Sequence, residues 1–160
     1  MRNKQKGFSL IELLIVVAII LIIAAIAIPN LLRSKIAANE ASAVGSLRTI
    51  NTTSTQYNTT YGGYPSTLLS LGGPAGGTAT SSSAELIDAV LAGGTKSGYS
   101  FAYTAGTTDN NGNILQYTLT AVPTSMGVTG QRTFFTDQSG VIRADATGAG
   151  VATLNSTPLS

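Results

Sequence analysis

The sequence contains no cysteine, no histidine and no tryptophan, and charged residues make up only 10% of its 160 positions. The first two absences exclude a thiol nucleophile, a disulfide framework, zinc sites built on Cys or His, haem attachment through CxxC and any His-based triad. Most enzyme classes are disfavoured on that ground, and the reading is of a non-enzymatic protein. The missing cysteines do not fix a compartment. Ten aromatics, four Phe and six Tyr, are scattered too widely to form a transport path and read mostly as core. Hydrophobic residues reach 43% but are unevenly placed. An unbroken apolar run covers Leu13 to Ile28, and the remainder is rich in Ser, Thr and Gly.

The formal charge of +2 conceals an asymmetry. Arg2, Lys4 and Lys6 precede Phe8, and from Phe8 onward six Lys/Arg face seven Asp/Glu. The basic character belongs to the N-terminal tip. No basic stripe interleaved with aromatics follows, so nothing points to nucleic acid.

The apolar run becomes about 21 residues when Phe8 to Glu12 is added, enough for a bilayer core of roughly 30 Å at 1.5 Å per residue. Basic residues ahead of it place the N-terminus inside and the bulk of the chain outside. Arg33 and Lys35 beyond it weaken that bias slightly. One reading is a secretory signal peptide cut at Ala25-Ile26-Ala27, which would release a soluble protein starting near Ile28. Pro29 sits awkwardly close to that cut, and Glu12 lies at the mouth of the apolar core. A carboxylate in hydrocarbon costs about 2.5–3.5 kcal/mol or more, so an intramembrane acid needs a partner. Cleavage between Gly7 and Phe8 would supply one, the new α-amine of Phe8. At about 4 Å and an effective dielectric of 20 such a pair is worth roughly 4 kcal/mol before desolvation. If the amine came from a neighbouring copy, Glu12 would set the axial register of stacked subunits.

The segment Lys6-Gly7-Phe8-Ser9-Leu10-Ile11-Glu12-Leu13, behind a basic leader and ahead of a long apolar run, resembles the class III signal of type IV prepilins and type II secretion pseudopilins. The resemblance implies removal of leader residues 1–7 by a membrane prepilin peptidase, cleavage falling after Gly7, and N-methylation of Phe8. It implies a single-pass inner-membrane protein that then polymerises with copies of itself, aided by pilus or secretion assembly machinery. The product would be an extracellular filament (a fimbrium) or a periplasmic pseudopilus. Detailed likeness covers residues 1 to about 65. Many major pilins close a C-terminal loop with a disulfide, which this chain lacks, so the pseudopilin alternative stays open.

The helix is expected to continue past Pro29. Leu31, Leu32, Ile36, Val44, Leu47, Ile50, Tyr57 and Tyr61 recur mostly at intervals of three or four, with Arg33, Lys35, Asn39, Glu40, Arg48 and Gln56 largely between them. Residues 8–28 thus read as membrane span and filament core, and 29–61 as amphipathic. A helix over 8–61 would be roughly 80 Å long. Pro29 removes the bond to the Ala25 carbonyl and should kink it. From the resemblance, this point is one that could unwind locally during packing.

Gly62-Gly63-Tyr64-Pro65 ends the helix. Residues 62–160 are read as a globular head. Residues 66–80 form a loop anchored by Leu68, Leu69 and Leu71 and broken by Gly72-Gly73-Pro74 and Gly76-Gly77. Ser82-Ser83-Ala84-Glu85 fits a capping box, predicting a short helix to about Ala92 that buries Leu86, Ile87, Val90 and Leu91. Tyr99, Phe101 and Tyr103 alternate with small or polar residues, as do Leu115, Tyr117, Leu119 and Ala121, around an Asn-Gly step. A second hairpin is read over Arg132–Thr136 and Val141–Ala144. The expected fold is α+β: a long N-terminal helix, transmembrane then amphipathic, packed on a small antiparallel sheet of about four strands. The tail, 147–160, has little pattern. Asp109, Asn111 and Asn113 have the alternate spacing of a calcium loop, but the glycine is misplaced and no downstream bidentate acid follows. A hairpin turn is the favoured reading there; no cofactor is expected, with calcium kept as a minor alternative. Asp137 reads as a turn residue, and Glu85 and Asp88 as a solvated face.

Overall fold

The computed structural model describes residues 8–73, 78–145 and 150–159. Gly7, Pro74, Gly76 and Gly77 and part of the tail lie outside the described residues. Contacts divide the chain into two units, residues 1–35 and 36–160. Helix α1, Leu10–Tyr61, runs through both.

In the first unit no side chain of α1 is buried. The apolar residues from Leu13 to Ile28 face outward on every side, as in a helix whose solvent is lipid or other copies of itself. Leu31 and Leu32, read as part of the amphipathic stripe, are exposed as well.

In the second unit α1 turns amphipathic. Ile36, Glu40, Ala43, Leu47, Ile50, Ser54 and Tyr57 are buried. Their spacing alternates four and three, which keeps one stripe in register over six turns. The helix stops where Gly62 adopts φ +81°, a left-handed conformation that costs glycine little.

The connecting segment contains a one-turn helix α2, Leu68–Leu71, with Thr67 as its N-cap. Leu68 and Leu71 are buried, but Leu69 is 66% exposed and anchors nothing. The helix expected over residues 83–92 shrinks to α3, Ala89–Ala92, capped by Asp88. Asp88 Oδ1 accepts from Leu91 N at 2.9 Å. The capping box fails because its backbone donors are spent elsewhere. The N–H groups of Ala84, Glu85, Leu86 and Ile87 donate to Ser70, Gly72 and Leu71 carbonyls, and Glu85 takes φ +54°. Ile87 and Leu91 are buried as expected, whereas Val90 is 61% exposed.

The sheet is a meander of six antiparallel strands among the described residues, each paired with the next in sequence. They are β1 (Thr95–Lys96), β2 (Tyr99–Ala105), β3 (Tyr117–Pro123), β4 (Thr133–Asp137), β5 (Arg143–Asp145) and β6 (Thr157–Pro158). Four of them, β2 to β5, correspond to the two expected hairpins. The two edge strands have two residues each, too short for periodicity to reveal. Register pairs Phe101 with Ala121, Leu119 with Thr136 and Phe134 with Ala144. Tyr99, Phe101, Leu119, Ala121 and Phe134 join Ala43, Leu47, Ile50 and Tyr57 of α1 in one core. Leu115 falls outside β3 and is exposed. This is a pilin-like α+β architecture.

Two polar anchors tie helix to sheet within that core. Asn51 accepts from Tyr117 OH at 3.0 Å and donates to Thr136 Oγ1 at 2.9 Å. Glu40 is 7% exposed and accepts from Gln131 N at 2.9 Å, Arg132 N at 3.1 Å and Arg132 Nε at 2.8 Å. The sequence pattern places Glu40 and Asn39 between the apolar positions, on the polar face. Instead, Asn39 Nδ2 donates to the Thr129 carbonyl at 2.9 Å.

Candidate functional site

The candidate segment begins, among the described residues, at Phe8, whose side chain is 84% exposed. Gly7, the other side of the expected scissile bond, lies outside the described residues. Ser9 precedes the first helical residue, Leu10, and Glu12 stands three positions further on. That is the spacing of a capping box, and half of it forms: Glu12 Oε2 accepts from Ser9 N at 2.9 Å. The Ser9 carbonyl accepts the first helical bond, from Leu13 N at 3.3 Å. A carboxylate in the first turn also meets the positive end of the helix dipole.

Besides the cation that an acid in hydrocarbon needs, the Ser9-Leu10-Ile11-Glu12 spacing itself offers this local donor. The bond orients the carboxylate toward the start of the helix. One amide N–H is a neutral donor, and the charge keeps its remaining lone pairs. An ammonium at the start of the helix would be a stronger partner than this amide.

The helix has a mean hydropathy of 3.3 over its most apolar 18 residues, none of them buried. It is long and apolar enough to cross a membrane. Exposed apolar surface on that scale marks a membrane or protein contact. Pro29 lies inside α1, and the helix carries on through it to Tyr61. The hydrogen bond that its missing N–H would have made to Ala25 is lost, as the chemistry of proline requires.

The asparagine-rich loop behaves as a turn. Asp109 Oδ1 accepts from the N–H groups of Asn111 and Asn113, both at 2.8 Å, and Oδ2 from Asn113 Nδ2 at 3.0 Å. Gly112, at φ +84°, closes it as a type I turn with a glycine bulge. The amides of Asn113 hold the Asp109 carboxyl below its ordinary range. Asp137 likewise accepts from Ser139 N at 2.9 Å in the next hairpin loop. Among the described residues no three acidic side chains converge as a metal site would require. Asp88 is not merely solvated: it caps α3 and pairs with Lys96 at 3.0 Å.

One comparison with known proteins falls on this same N-terminal segment. Residues 2–28 match the family model described as the prokaryotic N-terminal methylation motif. Those residues carry that motif. Over 40 residues the chain is 65% identical to the type IV wide pilus major component PilA4 of Thermus thermophilus. That stretch is 25% of this chain and 30% of the relative, so the match spans under a third of the relative's length. No solved structure gives a significant match. The comparisons thus give a methylation motif over residues 2–28 and a 40-residue likeness to a pilus component, while the head stands on its architecture.

Proposed function

We propose that the chain is a structural subunit of a type IV pilus-like filament. It is made as a membrane precursor, cleaved after Gly7, methylated on the Phe8 nitrogen and polymerised through α1. The observation that carries this reading is a methylation motif leading into a membrane-length apolar stretch of α1 in which no side chain is buried. Such a surface is stable only in lipid or against other apolar helices. A filament supplies the second environment after the membrane supplies the first.

Cleavage hydrolyses the Gly7–Phe8 amide and turns the Phe8 nitrogen into an ammonium. Methylation preserves its charge. Glu12 then has a cation to exchange for the Ser9 amide, on its own chain or on a neighbour. Pairing with a neighbour fixes axial register, because a misplaced subunit leaves a carboxylate in an apolar core without its counter-charge. The name of the relative, a wide-pilus component, supports the pilin reading ahead of a type II secretion pseudopilin.

Mass spectrometry of the mature N-terminus tests the proposal. The expected species begins at Phe8 and carries one methyl group on its amine, and Gly7→Leu should retain the whole leader in the membrane fraction. A mature protein starting near Ile28 would instead establish signal-peptidase release and end the filament reading. Electron microscopy of the cell surface with and without the gene separates pilin from pseudopilin.

A further inference from the structure

The head contains a concave site that the filament reading does not use. A groove of about 350 Å³ opens where the last turn of α1, the 80–83 turn and the tip of the β2–β3 hairpin meet. Tyrosine rings form one part of its wall: Tyr57 and Tyr61 lie 4.6 Å apart between centroids, and Tyr64 stands edge-on to Tyr117 at 4.9 Å. Ser66, Ser82 and Asn113 contribute polar groups. None of the described residues lining it is charged.

The wall is held from several sides. Tyr57 OH donates to the Ser81 carbonyl, which ties the 80–83 turn to α1. Thr80 and Ser83 exchange backbone hydrogen bonds at 2.9 and 3.0 Å. Tyr64 N donates to the Ile114 carbonyl at 2.8 Å, fixing the hairpin tip against the helix end. Asp109 takes the amide nitrogen of Asn113, which leaves the amide oxygen as that side chain's acceptor. Rings and amide are thus positioned before any ligand arrives, which lowers the ordering cost of binding.

The lining sorts ligands by chemistry. A charged ligand would lose water and find no counter-charge. A wholly apolar one would cover the serine hydroxyls without pairing them. A neutral ligand with apolar C–H faces and rim hydroxyls satisfies both kinds of wall. We propose that this groove binds a neutral saccharide, with a pyranose face against Tyr61 or Tyr64 and its hydroxyls on Ser82 and Asn113. Tyrosine suits this role because it offers a rigid flat surface at low entropic cost.

The proposal is independent of polymerisation, so the full chain in zwitterionic, sugar-free micelles suffices. Cellohexaose, maltohexaose and hexa-N-acetylchitohexaose are the probes, read by saturation-transfer NMR and by tyrosine fluorescence, the natural emission of a chain without tryptophan. At least one probe should receive saturation at its ring protons. Tyr61→Leu should weaken it about tenfold, as expected for one lost stacking partner. Ser82→Arg, on an exposed turn, should abolish it with the near-UV spectrum unchanged. That second variant decides the matter if Tyr61→Leu fails to fold. Absence of transfer to all three probes overturns the proposal. So does binding that survives Ser82→Arg, or a single-stranded oligonucleotide that binds where the saccharides do not.

Discussion

Glu12 and Glu40 place the same side chain in two environments on a single helix. Glu12 is exposed, with a single amide donor from Ser9. Its remaining capacity is available to an ammonium. Glu12→Ala should leave cleavage after Gly7 intact and reduce surface filaments severely, as mass spectrometry and electron microscopy together would report. Normal filaments from that variant would eliminate the register role. Glu40 is already saturated. Burial alone would raise its pKa, but the amides of Gln131 and Arg132 and the Arg132 guanidinium outweigh burial and hold it below the ordinary 4.5. Glu40→Ala strands the two amides and should cost about 2 kcal/mol of head stability, measured by urea unfolding. The sign with pH follows from the lowered value. The contribution is complete above about pH 4.5 and is lost as pH falls through the folded-state value. Glu40→Gln should therefore flatten the acid limb of the stability profile. Glu40 could have been found in the sequence: it stands four after Ile36 and seven before Leu47, on the stripe itself. Its charge directed the reading to solvent, because only the β3–β4 loop, distant in sequence, supplies its donors.

At the scale of elements, the β2–β3 hairpin and α1 gather the tyrosines. Tyr103 stacks on Tyr117 with centroids 5.2 Å apart and planes 14° from parallel. Read along the chain these aromatics were scattered; strand register brings them together. Burial pushes Tyr117 up to about 12, helped by nearby Tyr64, and raises Tyr99 and Tyr103 further. A raised phenol stabilises the fold below its unfolded pKa of 10 and loses that contribution as pH climbs toward the folded-state value. Spectrophotometric titration should show these phenols ionising together with alkaline unfolding above pH 10, whereas a tyrosine exposed in the native state titrates without it. Tyr103 OH is buried with no hydrogen-bond partner. Tyr103→Phe should accordingly raise stability, by about 1 kcal/mol, in the same urea assay. The failed capping box at Ser82 belongs to this scale too. Local propensity was right about the residues, but competing carbonyls of residues 70–72 took the donors.

At the scale of the whole molecule, two units of unlike surface share one helix. The first has apolar side chains exposed on all sides, and the second buries a conventional core. A chain beginning at Ile36 should remain soluble and monomeric without detergent, by light scattering, and should unfold cooperatively. The full chain should require micelles or assembly. Aggregation of the shorter chain would mean that the head needs residues before Ile36, contrary to the division of contacts.

The sequence alone determined the methylation motif, the membrane-length helix, the stop at Gly62 and the two main hairpins. These depend on local order: a sequence motif is read linearly, an apolar run needs no partner to be recognised, and turn glycines act through their own backbone. Tertiary structure alone decided the burial of Glu40, the two-residue edge strands, the shortening of α3 and the tyrosine-walled groove. Each requires donors, pairing edges or rings from segments distant in sequence, and no local pattern encodes which of those will meet.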